Sequence, residues 1–224
     1  MRMFKPRESM VYSAAEYWSD AAVHMLGVLA ALIAVPVMVT LAALWAGDVG
    51  PVTAATIYGV TLIAMLSCSA LYNMVRAAHL RPLLRRIDQS AIYLKIAGTY
   101  TPFAVLTGIH AGPFLAGIWG AAGLGAALVA FGTRLPLVKW VALALYLGIG
   151  WAGAFWGGPM VDGLSGPAFL LLLFGGLLYS GGVIFLLWER LPFHNTIWHV
   201  FVLAATVLCY SSIMVELFRA GTLA

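Results

Sequence analysis

The chain has 224 residues, of which 63% are hydrophobic and 9% charged, with a net charge of +4 and a mean hydropathy of +0.98. A soluble domain of this length would need far more charge to solvate its surface. The long uncharged runs place the sequence among integral membrane proteins instead.

Residues 1–22 form a polar, amphipathic lead that is expected to lie along the cytoplasmic membrane surface. The apolar run behind it is too long for the core of a cleavable signal. Seven stretches are long enough to cross a hydrocarbon core of ~30 Å as helices. They fall near 23–46, 52–75, 90–108, 112–132, 136–156, 167–188 and 194–216, joined by short connections carrying Pro, Gly or charge. Residues 217–224 would be a short external tail. No run of short alternating segments suggests a β-barrel. The expected fold is therefore all-α: one seven-transmembrane-helix bundle over 23–216, without internal repeats.

Several features along these helices read as structural. Pro102 removes a backbone donor in the third helix and should kink it near Gly98, with Thr99 and Thr101 compensating locally and Tyr100 able to line a cavity. Gly117, Ala121 and Gly125 form a small-residue stripe, and Gly148, Gly150 and Gly153 thin the fifth helix; both suggest close helix packing. The Gly-rich runs at 175–176 and 181–182 follow no strand and call for no cofactor. Trp18, Trp45, Trp119, Trp156 and Trp188 lie near segment ends, as interfacial tryptophans do. Cys68 and Cys209 fall inside helices and are read as small buried residues, not a disulfide.

Basic residues set the orientation. Arg2, Lys5 and Arg7 precede the first helix; Arg76, Arg81, Arg85 and Arg86 lie between the second and third; Arg134, Lys139 and Arg190 continue the same side. The opposite loops carry Asp48, His110 and Asp162, with Arg219 the exception there. The positive-inside rule then puts the N-terminus in the cytoplasm and the C-terminus outside. The net positive charge reads as this orientation device with lipid-headgroup contact, so nucleic acid is excluded as a partner.

Orientation gathers scattered polar residues into one region. Ser69 and Asn73 close the second helix, Asp88 stands at the mouth of the third, and Asn195 and His199 open the last. With a rise of about 1.5 Å per residue, all five lie within roughly 10 Å of one membrane face. Each i,i+4 pair shares a helix face. Glu16, Asp20 and His24 begin the first helix at the same level. Ionisable groups inside a membrane mark functional sites by default. Lys95, two turns beyond Asp88, should pair with an acid or with carbonyls, or snorkel toward the cytoplasm.

Three segments carry a resemblance to the haemolysin III family within the progestin and adipoQ receptor superfamily. They are Glu16-Tyr-Trp-Ser-Asp-Ala-Ala-Val-His24-Met-Leu-Gly27; Ser69-Ala-Leu-Tyr-Asn73 with Arg86-Ile-Asp88-Gln-Ser-Ala-Ile-Tyr93 and Ile96-Ala-Gly-Thr-Tyr-Thr-Pro-Phe103; and Asn195-Thr-Ile-Trp-His199-Val-Phe-Val. The resemblance implies seven helices, an N-inside orientation and a bacterial inner (plasma) membrane location. It also implies a zinc site near the cytoplasmic face, built from Ser-x3-His, an Asp and His-x3-His. Ser69, Asp88 and His199 match that pattern, whereas Asn73 and Asn195 stand where histidines are expected.

An amide oxygen is a poor zinc ligand, so zinc is expected to be absent or weakly bound. His24, His194 or His79 could substitute, of which His194 points about 100° away from Asn195 around the helix. The company of Lys95 and two missing histidines suggests that its ammonium supplies positive charge where relatives hold a metal.

Three functions follow from these residues. The first is a sensor or regulator in membrane-lipid homeostasis, whose polar pocket (Asn73, Asn195, Lys95, His24 and Glu16) binds a membrane lipid through amide donors and acceptors. The second, implied by the resemblance, is a metal-dependent lipid-amide hydrolase with Asp88 as base or water-orienting group, His199 and Asp88 as metal ligands, and Ser69 as polariser. The third, which only the name of the resembled family suggests, is a pore-forming haemolysin, for which no helix shows a continuous polar stripe.

Overall fold

The computed structural model describes residues 13–107, 112–132 and 136–223. The lead 1–12, His110 and Arg134 lie outside the described residues. Among those described, the chain forms eight α-helices and no strand: α1 (Ala14–Ala46), α2 (Val49–Met74), α3 (Arg81–Leu106), α4 (Gly112–Phe131), α5 (Pro136–Trp156), α6 (Gly158–Asp162), α7 (Gly166–Leu187) and α8 (His194–Leu223).

Seven of these overlap the expected stretches. The eighth, α6, is a single turn started by Pro159 where the sequence suggested a plain connection. Five helices (α1, α2, α4, α7 and α8) are long and apolar enough to cross a membrane. Two fall short of that for visible reasons. The α3 helix carries Arg81, Arg85, Arg86, Asp88 and Lys95, and the apolar part of α5, Trp140–Trp156, is shorter.

The start of α1 lies at Ala14, well before position 23, because Ser13 and Glu16 form a reciprocal capping box. The Glu16 backbone N–H donates to Ser13 Oγ at 3.2 Å, and the Ser13 N–H donates back to Glu16 Oε2 at 2.9 Å. Residues 14–22 are thus continuous with the first helix, and a boundary drawn at 22 falls inside it. At the other end α8 runs on to Leu223, so 217–223 are helical too.

Packing follows chain order around a ring. The α1 helix lies between α2 and α8, α3 packs on α2 and α4 and reaches across to α5 and α8, and α7 packs along α8. The α5 and α7 helices touch sparsely, which leaves the ring weakest between them. Outward faces are apolar: Leu26 is 66% exposed and Ile33 70%. Such surface is a liability in water and costs nothing against acyl chains. The interior is closed by Met38, Tyr58, Phe103, Ile213 and Leu217, all fully buried.

Some glycines set close approaches between helices and others face open space. At Gly98 a Cβ would run into Thr61 Oγ1, and that hydroxyl already donates to the Ile57 and Tyr58 carbonyls at 2.9 Å each. Gly98→Ala is therefore expected to cost about 1–3 kcal/mol, the range of a forced shift in a packed core. Thermal melting in detergent is the check, and an unchanged melt would show that α2 and α3 separate freely. Gly125 abuts Tyr93 and Gly153 abuts Tyr100 in the same way. Gly117, Gly148 and Gly150, expected to mark helix contacts, instead meet open space. Near Pro102 the hydroxyls of Thr99 and Thr101 donate to Lys95 O at 2.8 Å and Ala97 O at 3.0 Å, and not to the Gly98 carbonyl that the proline frees.

Candidate functional site

The polar turns of α1, α2, α3 and α8 meet at one end of the bundle, where the α2–α3 and α7–α8 connections lie. Asp20 is the hub of the cluster, a role that its place in the sequence did not reveal. Its Oδ1 is 3.1 Å from His199 Nδ1, its Oδ2 accepts from Asn195 Nδ2 at 2.9 Å, and its backbone oxygen is 2.7 Å from His24 Nδ1. Asp20, His24 and His199 are all buried, and the two imidazole rings stand edge to face with centroids 4.1 Å apart.

The two asparagines close this network. Asn73 Nδ2 donates to Ser69 O at 2.9 Å and faces His24 Nε2 at 3.3 Å. Asn195 donates its second N–H to Asn73 Oδ1 at 3.1 Å. An amide nitrogen has two protons and a carboxylate only accepts. All four amide protons are therefore used, and the reverse orientation of Asn73 would set its oxygen against the Ser69 carbonyl and its nitrogen against the Asn195 amide nitrogen. In this arrangement His24 Nε2 accepts the Asn73 hydrogen bond, which goes with the tautomer that carries its proton on Nδ1, toward Asp20 O. Ser69 Oγ lies 3.3 Å from both His24 Nε2 and His199 Nε2. Its single proton is left for His199 or for Asp88, which interacts with both Ser69 and His199.

The other sequence candidates divide. His24 joins the cluster; His194 turns to Phe185 O at 3.3 Å, and His79 is exposed. Glu16 does not line the cavity. Besides its capping role it accepts from the Phe193 N–H at 3.1 Å, holding the α7–α8 turn where Phe193 has a φ of 58°. Lys95 neither snorkels nor pairs with Asp88. It is 3% exposed, and Nζ donates to Tyr179 Oη at 2.7 Å.

His24, Ser69, Asp88, Lys95 and His199 line one cavity of about 190 Å³, whereas Asn73 and Asn195, expected in the same pocket, are held in the Asp20 network and do not line it. Its polar end is formed by His24, Ser69, Asp88 and His199; it passes Lys95 and Tyr179 and ends among Phe103, Met160 and Val161. One flank is the sparse α5–α7 face, where Gly150 contributes open space.

Asp20, His24 and His199 place a carboxylate and two imidazoles within 4.8 Å of one another, a donor set that could hold a metal ion. The residues fit such an ion in number and type. Asp20 oxygens anchor both Nδ1 atoms and both Nε2 atoms face Ser69 Oγ, so an ion held on the two Nε2 atoms would have Asp20 behind the imidazoles as their anchor and not beside it as a ligand. The group competing for that place is the Asn73 amide, which already occupies the His24 lone pair.

Residues 14–210 match a family of proteins described as haemolysin-III related. The chain is 36% identical to hemolysin-3 of Bacillus cereus over 200 residues, covering 88% of this chain and 89% of that protein. It is 32% identical to a hemolysin-3 homolog of Bacillus subtilis over 206 residues, covering 91% and 95%. The human monocyte to macrophage differentiation factor is 32% identical over 185 residues, covering 75% of this chain and 72% of its own. With five membrane-length helices and a match from α1 into α8, this chain belongs to the haemolysin-III-related family of integral membrane proteins.

Proposed function

We propose that this protein acts in membrane-lipid homeostasis or sensing, and that its polar cluster caps a cavity which takes up a membrane lipid. The observation that carries this reading is the continuity of the cavity. A hydrogen-bonded polar end (His24, Ser69, Asp88, His199) opens into an apolar wall beside the sparse α5–α7 face. Pockets for small ligands have this make-up, mostly apolar with a few converging polar groups. The reading takes the membrane to be a bacterial plasma membrane crossed seven times, with the cluster toward the cytoplasm, where Arg76, Arg81, Arg85, Arg86 and Arg190 also lie. In this reading zinc is weak or absent, because Asn73 and Asn195 spend their amide protons on the groups that would otherwise ligate.

Mass spectrometry of lipids retained by the purified protein tests the cavity. A specific lipid is expected to be enriched over the whole-membrane extract. Gly150→Leu, whose side chain enters open space, is expected to lose most of that lipid while melting normally. Equal retention by both proteins would count against the cavity.

One observation favours a metal-dependent lipid-amide hydrolase as a second reading: the two anchored imidazoles converging on Ser69. His24, His199 and the Asp88 carboxylate would hold the ion, which would supply Lewis-acid polarisation of a carbonyl. Asp88 would take or orient a proton, and Ser69 would steer the carbonyl oxygen. Elemental analysis of protein purified without chelator separates the readings. Stoichiometric zinc, lost in His199→Ala, decides for the hydrolase; sub-stoichiometric metal in both proteins decides for the lipid sensor.

A further inference from the structure

Lys95 is a charged residue of the cavity wall that the lipid-cavity reading leaves without a task. It lies seven residues beyond Asp88 on α3, roughly 10 Å deeper at a rise of about 1.5 Å per residue. Its Nζ donates to Tyr179 Oη at 2.7 Å and stands 4.6 Å from the centre of the same ring, while Tyr179 Oη is 2.6 Å from Thr206 Oγ1. An ammonium has three donors and no acceptor. One is placed on Tyr179, and among the described residues no carboxylate stands within ion-pair distance of Nζ. The neighbourhood is short of acceptors in a second way. The buried Tyr58 hydroxyl, close to Tyr179 and Cys209, has no hydrogen-bond partner among the described residues. An unpaired charge in an apolar wall is costly, and the cost falls when an anion pairs with it.

We propose that Lys95 and Tyr179 seat the carboxylate of a single-chain amphiphile, a ligand of the fatty-acid class, with its tail along the apolar wall at Phe103, Leu147, Met160 and Leu172. The inference rests on the lipid-cavity reading and fixes where the head sits. Charge places it at Lys95 and not at the polar cluster, since the carboxylates of Asp20 and Asp88 stand at that end and repel an anion. Valence selects a carboxylate, because one ammonium balances one charge whereas a phosphate monoester carries about 1.5–2. Size favours one chain: a cavity of about 150 Å³ takes one benzene, so the 190 Å³ here holds part of one acyl chain.

The test compares hexadecanoate, hexadecanol and hexadecylamine binding to the full-length protein, delipidated and returned to nanodiscs, at mildly alkaline pH where the acid is ionised. The wild type is expected to bind the carboxylate about tenfold or more tighter than the alcohol, as a charge-assisted hydrogen bond out of water allows. The amine should bind weakest. Lys95→Met and Lys95→Gln are expected to bring the carboxylate-to-alcohol ratio to about one while alcohol binding persists. If neither variant folds, the wild-type order of the three head groups decides alone. Equal binding of carboxylate and alcohol by the wild type, or a preference surviving in both variants, overturns the seat and leaves the cavity standing. No binding of any of the three to the wild type overturns the seat and the cavity together.

Discussion

Asp20→Ala is expected to destabilise the protein by ~3 kcal/mol, a loss typical of breaking a buried network of charged and polar partners. The carboxylate receives His199 Nδ1 at 3.1 Å and Asn195 Nδ2 at 2.9 Å, all well inside the bundle. Removing it strands two buried donors at once, each at roughly 1–3 kcal/mol. At about 2–4 °C per kcal/mol for a chain of this size, the melting temperature in detergent should fall by roughly 6–12 °C. Asp20→Asn should cost less, since one oxygen remains to accept, although its new N–H must face a donor. Ser19→Ala is the comparison: Ser19 Oγ lies 3.1 Å from Thr196 Oγ1 at the partly buried rim and also donates to Glu16 O. Its loss should cost under about 1 kcal/mol. Should Asp20→Ala melt no lower than Ser19→Ala, the hub role is wrong.

Asp20 also shows how far a sequence can be read here. The i,i+4 spacings put Ser69 with Asn73 and Asn195 with His199, and helix direction brings both pairs to one end, where the structure has them. Spacing within a helix is a local property, so these pairs were legible. Which neighbouring residue binds them together depends on the rotation of α1 against α8, and no period in the sequence encodes that. Glu16 carried two readable signals that compete. It is polar and level with the site, and it stands three residues after Ser13, the capping-box position. The box prevailed because the first backbone N–H groups of α1 have no other acceptor.

Lys95 was legible as an anomaly but not in its partner. Tyr179 sits in α7, a helix of Leu, Phe and Gly whose apolar run hides which face it presents. The glycines of α5 mislead for a related reason. A glycine permits close approach without requiring it, and Gly148 and Gly150 leave space that no helix enters.

The double variant Asn73→His/Asn195→His is expected to take up zinc at about one ion per chain, with affinity raised at least ~100-fold, since even outer-shell changes at metal sites move affinity about 10–100-fold. The wild-type geometry supplies the argument. Asn73 Nδ2 is 3.3 Å from His24 Nε2 and Asn195 Nδ2 is 3.1 Å from Asn73 Oδ1, so both amides stand around the point on which the imidazoles converge. Each amide contributes N–H groups that neutralise a lone pair; each introduced imidazole would contribute a lone pair instead. Without an ion, those lone pairs face the lone pair of His24 and the oxygens of Asp20, and the four hydrogen bonds of the amides are lost. The metal-free double variant should therefore melt below the wild type. A zinc ion shared among the imidazoles converts the same repulsion into ligation, so added zinc should raise its melting temperature. At a free concentration 100 times Kd, ligand linkage contributes ~2.7 kcal/mol. The wild type should respond far less to the same zinc, because its amides must first give up their partners. A double variant that melts like the wild type and ignores zinc would show that the asparagines do not occupy the metal position.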